Sequence, residues 1–358
     1  MGKLPDEELR RLLDCVKKHP KILVPPQPGY DSGVHELDDN LLLIVSTDPC
    51  INVPEAWFGW LLVNYAASDV SVFGARPQFC TVTLLGPPST EPEGFIKIMK
   101  QVCVATEELE MAVITGHTGT YEGVSTLLGI CTAYGIIPKS ELITPGGALA
   151  GDSIICTKGI GLETIVNFAL SNRASADSLF SPANASKLRT MIDQQTCVKE
   201  AGVLKSLQGI HAMHDATEGG LVAALNEMAD TAGLGFRVDL QHLPISEELE
   251  ILQDRFGLSE VEILSASSTG TLLAAFEPRE TEDAIHRLKQ TGVKAHRIGV
   301  FTEDLERWIY NGKQERGFPK QALDPYSKIT QDQPKLSDCD LVQRRCRKAG
   351  NSRSTISK

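Results

Sequence analysis

Short apolar runs separated by longer stretches of helical character constrain this chain more than any other feature. "NLLLIVS" (40–46), "QFCTVTLL" (78–85), "MAVITG" (111–116) and "STLLGICTAYGII" (125–137) each read as a strand, the last long enough to be bent or bulged. Between them lie two helices. "PEAWFGWLLVNYAASDVSVFG" (54–74) has Pro54 near its start and Gly74 at its end, and "EPEGFIKIMKQVCVATEELE" (91–110) is the second. Residues 1–20 have the character of an amphipathic helix, and "KILVPPQPGYDSG" (21–33) is a loop broken by proline and glycine. The alternation then resumes, with strands at 153–158, 210–214, 235–240, 263–276 and 295–301. Helices are expected at 161–171, 183–207 (broken), 219–232, 246–256 and 280–291. Strands separated by helices imply a layered α/β architecture.

A chain of 358 residues exceeds one compact core of ordinary size and fits two domains plus a tail. "PKSELITPGGALAGD" (138–152), rich in proline and glycine, marks the join. This gives an N-terminal domain over 1–142, a C-terminal domain over 143–318 and a tail over 319–358. The last part, "KLSDCDLVQRRCRKAGNSRSTISK" (335–358), is basic, lacks apolar periodicity and reads as disordered. No apolar run approaches ~20 residues, so no membrane span is expected. The charged N-terminus "MGKLPDEELRRLL" has no signal-peptide core. Nine cysteines form no CxxC pair, are odd in number and lie mostly within apolar runs, which reads as reduced thiols in a cytoplasmic protein. A net charge of −11 argues against nucleic acid or acidic membranes as partners. An anionic ligand such as a nucleotide phosphate would require a divalent metal between it and these acids.

Acids recur on buried elements. "LLLIVSTDPC" ends an apolar strand on Asp48, "NYAASDVSVFGARP" places Asp69 inside an apolar helix, and "HAMHDATEGGLVAALNEMA" leaves a strand on Asp215 with Glu218 before Gly219-Gly220 and a helix. "MAVITGHTGTY" ends a strand on Gly116-His117-Thr118. A carboxylate on a buried element is costly unless it is paired, hydrogen-bonded or metal-bound. Mg²⁺ takes one or two carboxylates together with phosphate oxygens and water, so acids from separate strand ends can share one site. Each residue also has a structural reading. Asp48 can be a turn acid before Pro49, Asp69 a core acid satisfied by hydroxyls, Asp215 a helix cap and His117 a hydrogen-bonded structural histidine. "KGIGLE" (158–163) leads into a helix whose N–H groups suit phosphate, although the pattern by itself favours an ordinary turn with a solvated Lys158. Neither GxxxxGK[ST] nor GxGxxG is present, and GxSxG and HExxH are missing too.

The order of these pieces carries more than any one of them. "STDP", "SDVSVFGARP", "ITGHT", "HDATEGGLVAALNEMA" and "SSTGTLL" (267–273) follow one another over roughly residues 28–302. That order resembles the superfamily of ATP-using enzymes that includes aminoimidazole ribonucleotide (AIR) synthase, selenophosphate synthetase, thiamine-monophosphate kinase and the hydrogenase-maturation carbamoyl dehydratase. The last branch is the most similar, through Ser68-Asp69 to Pro77, Thr115 to Thr118, and Asp215 to Gly220. The resemblance implies an N-terminal α/β domain whose strands join those of a second subunit in a barrel, a C-terminal α/β domain beside it, and ATP near the dimer interface. It implies Asp31, Asp48, Asp69 and Asp215 as metal ligands, with Asp48, Asp69 and Asp215 also catalytic. Asp31, Gly116, His117, Thr118, Glu218, Gly219, Gly220, Asn226, Thr269 and Gly270 would border the nucleotide. The cofactors implied are ATP and Mg²⁺, and the chemistry is phosphorylation of an amide-type or related oxygen of a small substrate, which turns it into a leaving group. The chain departs from the pattern at His117, where relatives carry an acid, at Ser68, where they carry Asn, and in its "STISK" ending, which lacks a terminal cysteine. These departures keep a second reading open: a catalytically reduced nucleotide-binding maturation or regulatory module that acts through a protein partner.

Overall fold

The computed structural model describes residue 4 and residues 6–331; the basic stretch 335–358 lies outside the described residues. After helix α1 (Asp6–Leu13) come β1 (Ile22–Val24), β2 (Gly33–Glu36), β3 (Leu41–Cys50), α2 (Phe58–Val72), β4 (Phe79–Gly86), α3 (Pro92–Glu108), β5 (Ala112–Thr120) and β6 (Leu128–Pro138). These strands form one six-stranded sheet in the order β1-β2-β3-β6-β4-β5. The second half contains β7 (Ser153–Thr157), α4 (Leu162–Ser171), α5 (Arg173–Phe180), α6 (Pro182–Thr190), α7 (Val198–Lys205), β8 (Ile210–Asp215), α8 (Gly220–Ala232) and β9 (Gly235–Asp239). It continues through α9 (Glu247–Phe256), α10 (Glu260–Leu264), β10 (Leu272–Phe276), α11 (Thr281–Gln290), β11 (Ala295–Thr302), β12 (Arg307–Asn311), β13 (Gln314–Gly317) and α12 (Tyr326–Gln331). Its seven strands run β13-β12-β9-β11-β7-β10-β8.

The mixed α/β architecture agrees with the alternation in the sequence, although most strand pairs are antiparallel; β4–β5 and β9–β12 are parallel. Helix α2 is buried on all but one of its residues, as a helix apolar on every side must be. It packs on β3 and β6 and also reaches α7 and β8, so it joins the two halves. Strands β7 and β10 are buried along their whole length. Both faces of the second sheet are therefore covered at β7 and β10, which explains why these strands read as unbroken apolar runs.

Several expectations change. Strand β6 is not bulged against its neighbours: it runs in unbroken register with β3 and with β4, and its length comes from pairing on both edges. The strand expected at 263–276 is two elements. Ser259 and Glu262 form a capping box that starts α10, and only Leu272–Phe276 is extended. The expected N-terminal helix is limited to α1, and β1 and β2 occupy parts of the expected loop. The β12–β13 hairpin adds to the expected strands; Gly312-Lys313 supplies its two-residue turn, with Gly312 at φ +63°. Residues 319–331 belong to the folded body rather than to a tail, because Asp324 and Tyr326 are hydrogen-bonded to it.

Candidate functional site

Asp69, near the C-terminal end of α2, is buried, and three further carboxylates act on it. Burial pushes its carboxyl well above the ordinary range, and the charges of Asp48, Asp215 and Asp31 push the same way. The Ser46 hydroxyl, which donates to Asp69 Oδ2 at 2.6 Å, opposes them. Asp31 arrives on the loop before β2, and the neighbouring Ser32 hydroxyl donates to the Asp69 carbonyl at 3.0 Å, which ties that loop to α2. Ser68 serves the same frame, accepting the Cys197 N–H at 3.1 Å just before α7. Two like charges about 4 Å apart repel by roughly 4 kcal/mol at an effective dielectric of about 20. Four acids from four segments therefore require bound protons or a cation when they lie together. Their oxygen donors fit a hard divalent ion.

The structural alternatives for these acids now separate. Asp48 is not a turn acid: β3 continues to Cys50, and Asp48 lies inside it opposite Cys131. Asp215 closes β8 opposite Leu272 and does not cap α8, whose N-cap is Gly219. Asp69 has the hydroxyl partner expected of a core acid, but a core acid does not call for three carboxylates around it.

His214, beside Asp215, is buried. Its Nε2 lies 2.7 Å from Glu227 Oε2, and its Nδ1 lies 3.1 Å from Asp31 Oδ2 and 3.6 Å from Asp215 Oδ1. Burial disfavours the charged ring, but the surrounding carboxylates outweigh it and hold the His214 pKa well above its ordinary value.

A second group surrounds the start of α8. Glu163 on α4 is half-buried. Its pKa is pushed up to about 7, chiefly by burial and further by Asp324 and Glu218, against the Thr269 hydroxyl that donates to Oε2 at 2.5 Å. The Asp324 carboxylate accepts the Gly219 N–H at 3.0 Å and the Ser267 hydroxyl at 2.6 Å. The anion at this helix start thus comes from the chain itself, where the sequence suggests a phosphate. The Gly219-Gly220 turn also serves the fold. A Cβ on Gly220, at φ +53°, would stand 2.5 Å from the Ala266 carbonyl oxygen, so the close approach is to protein backbone.

Other expected residues stand apart from the acids. Asn226 donates to Val222 and Pro319 carbonyls and accepts from Arg307, and so faces the chain after β13. Gly270 accepts from Lys158 Nζ at 2.8 Å, and Lys158 is neither solvated nor aimed at a ligand: it is ion-paired with buried Glu200 at 2.5 Å. Gly116, His117 and Thr118 lie within β5, the edge strand, which continues to Thr120. A Cβ at Gly116 would overlap the Val82 carbonyl of β4, and exposed His117 Nε2 lies 2.6 Å from Tyr121 Oη.

Sequence reasoning did not single out His214, Glu227, Glu163 or Asp324. The first two were inside the stretch already read, His214 next to Asp215 and Glu227 thirteen residues further on. Glu163 ends the "KGIGLE" stretch, whereas nothing local marks Asp324.

Two α/β halves, each with its own sheet, and a carboxylate-rich junction built by both define a two-domain protein with an acidic site between its halves. The chain belongs to the AIR synthase related protein family: the family's N-terminal domain matches residues 29–137 and its C-terminal domain residues 150–308. A Methanocaldococcus jannaschii protein named for hydrogenase expression and formation is 28% identical over 285 residues, covering 76% of this chain and 82% of that one. The carbamoyl dehydratase HypE of Cupriavidus necator is 23% identical over 293 residues, covering 78% and 79%. The fold is similar to that of a hydrogenase maturation protein HypE solved in complex with ATP, with a TM-score of 0.67 at 21% identity over 82% of this chain and 89% of that one. No described helix is long and apolar enough to cross a membrane.

Proposed function

We propose that the chain is a Mg²⁺- and ATP-dependent enzyme that phosphorylates an amide-type or related oxygen of a small substrate and so turns it into a leaving group. One observation carries the reading: acids from separate segments of both halves meet, with donor atoms of Asp31 and Asp215 within 4.8 Å of each other and the buried Asp69 carboxyl pushed up by the charges of both and of Asp48. The names of the relatives, a carbamoyl dehydratase and an ATP-bound HypE, agree with it. In this reading the four aspartates hold Mg²⁺ against the ATP phosphates, and the ion screens the phosphate charge. Ser46 and Ser32 keep the acids in place. Asp48, Asp69 and Asp215 orient the transferring phosphate. The domain division is the one at 142/143. The open β5 edge, exposed along nearly all its length, receives a second copy of the chain in a cytoplasmic homodimer. Gly116, His117 and Thr118 then border the nucleotide at that interface.

The test is thermal unfolding with Mg²⁺, with ATP and with both, with ADP and AMP assayed in the same samples. A ligand at about 100 times its Kd adds about 2.7 kcal/mol of stability. A shift that needs both, with nucleotide product, supports the reading; a fully active Asp48→Asn/Asp69→Asn double variant sinks it.

The second reading, a nucleotide-binding module that works through a protein partner with reduced catalysis, is favoured by one observation: the Asp324 carboxylate stands on the α8 start where phosphate is expected. It calls for ATP binding without turnover, and for a partner lost when residues 332–358 are deleted.

A further inference from the structure

The acid cluster contains one nitrogen donor. His214 is 1% exposed, and its buried Nδ1 makes no hydrogen bond of normal geometry, although Asp31 Oδ2 and Asp215 Oδ1 stand 3.1 and 3.6 Å away. One donor atom each from Asp31, His214 and Asp215 lies within 4.8 Å of the others. On the far side of the ring, Glu227 Oε2 is 2.7 Å from Nε2. An ionised carboxylate only accepts, so the Nε2 proton points at Glu227; a dication held by the two aspartates displaces the Nδ1 proton and takes the lone pair that faces them. A carboxylate behind an imidazole is the arrangement that fixes the tautomer and orientation of a metal-bound histidine. Carboxylate oxygens alone suit Mg²⁺, whereas an imidazole nitrogen among them favours first-row transition dications over Mg²⁺, least for Mn²⁺ and more for Co²⁺ and Zn²⁺.

We infer that Asp31, His214 and Asp215 form a mixed nitrogen–oxygen site for a first-row transition dication of the Mn²⁺, Co²⁺ or Zn²⁺ kind, with Glu227 as the positioning residue for the imidazole. The inference rests on the metal-holding reading of the aspartates and adds the class of ion. A site of this kind places one borderline-soft ligand beside acids that the nucleotide's own Mg²⁺ would use, so the two ions have different preferences within one cluster.

The test uses the full-length, untagged protein without nucleotide. Calorimetry compares Mn²⁺ with Mg²⁺, visible spectroscopy follows Co²⁺, and pulsed EPR of the Mn²⁺-loaded protein looks for ¹⁴N coupling from an imidazole. The expected result is Mn²⁺ binding at least tenfold tighter than Mg²⁺, with ¹⁴N coupling present and Co²⁺ d–d bands in the visible. His214→Gln should abolish the ¹⁴N signal and most of the preference while Mg²⁺ affinity stays within about threefold. Glu227→Gln should weaken Mn²⁺ by about 10- to 100-fold. Absence of ¹⁴N coupling in the wild-type protein overturns the inference without relying on any variant's folding, and so does a preference that survives His214→Gln. The two readings fail separately. Mn²⁺ held by nitrogen in a protein that never binds ATP leaves this site standing and ends the nucleotide reading. Mg²⁺-supported ATP turnover with no nitrogen-bound Mn²⁺ does the reverse.

Discussion

The carboxylate of Asp324 accepts the backbone N–H of Gly219 at 3.0 Å, so the segment after β13 supplies an anion to the start of α8. The same carboxylate also takes the Ser267 hydroxyl and the Tyr326 N–H, at 2.6 and 2.9 Å. It therefore links the α8 turn, the chain before β10 and the entry to α12. Replacing Asp324 by Ala should lower stability by about 1.5–3 kcal/mol in urea denaturation, the range for lost charge-assisted hydrogen bonds. It should also expose 319–331 to limited proteolysis. A variant with unchanged midpoint and unchanged cleavage would show that these contacts hold nothing in place.

Glu163 makes stability depend on pH. Its folded carboxyl holds its proton up to about pH 7, above the 4.5 of an ordinary glutamate. Its contribution is present in full below the lower value and is lost as pH rises through the upper one. A shift of this size corresponds to about 3 kcal/mol. Between about pH 5 and 8 the wild-type protein should therefore lose more stability than Glu163→Gln, by up to that amount, and parallel stability–pH curves would refute the assignment.

Lys158 and Glu200 form a buried ion pair, with the lysine also donating to the carbonyls of Gln194, Thr196 and Gly270. Lys158→Ala leaves the Glu200 carboxylate buried without its cation, which should cost about 3–5 kcal/mol. A loss under about 1 kcal/mol in chemical denaturation would mean that the carboxylate finds water.

Asp69→Asn removes one carboxyl from the crowded junction and keeps its size. The variant should fold, as judged by circular dichroism, retain an acceptor for the Ser46 hydroxyl, and lose at least about 100-fold in ATP turnover under the phosphorylation reading, a loss of about 2.7 kcal/mol of transition-state stabilisation. Turnover within threefold of wild type would remove Asp69 from the machinery.

Gly116 tests the edge strand. Because a Cβ there overlaps the Val82 carbonyl of β4, Gly116→Ala must push β5 away from β4, its one neighbour in the sheet among the described residues. Hydrogen exchange should accelerate along Ala112–Thr120 and leave the β3–β6 ladder protected; uniform protection of β5 would contradict the register.

Much of the candidate site was legible because carboxylates on apolar elements stand out locally. Asp48, Asp69 and Asp215 each interrupt a buried run, and the structure brings all three together with Asp31. His117 was legible in the same way, yet its strand lies at the sheet edge and its ring meets Tyr121 rather than the acids. Glu163 was hidden because nothing in "KGIGLE" says that Thr269, Asp324 and Glu218 will surround it.

By itself the sequence determined the α/β alternation, the helix that is apolar all round, and which acids interrupt apolar elements. These follow from local periodicity and from the cost of burying charge, and both can be read within one segment. Only the tertiary structure decided that β3 and β5 run on past their acid and histidine, that Asp324 meets the Gly219 N–H, and that His214 stands between Glu227 and two aspartates. Those outcomes depend on which remote segment arrives opposite a residue. Strand pairing and electrostatic fields are set by partners far away in the chain, and local pattern does not encode them.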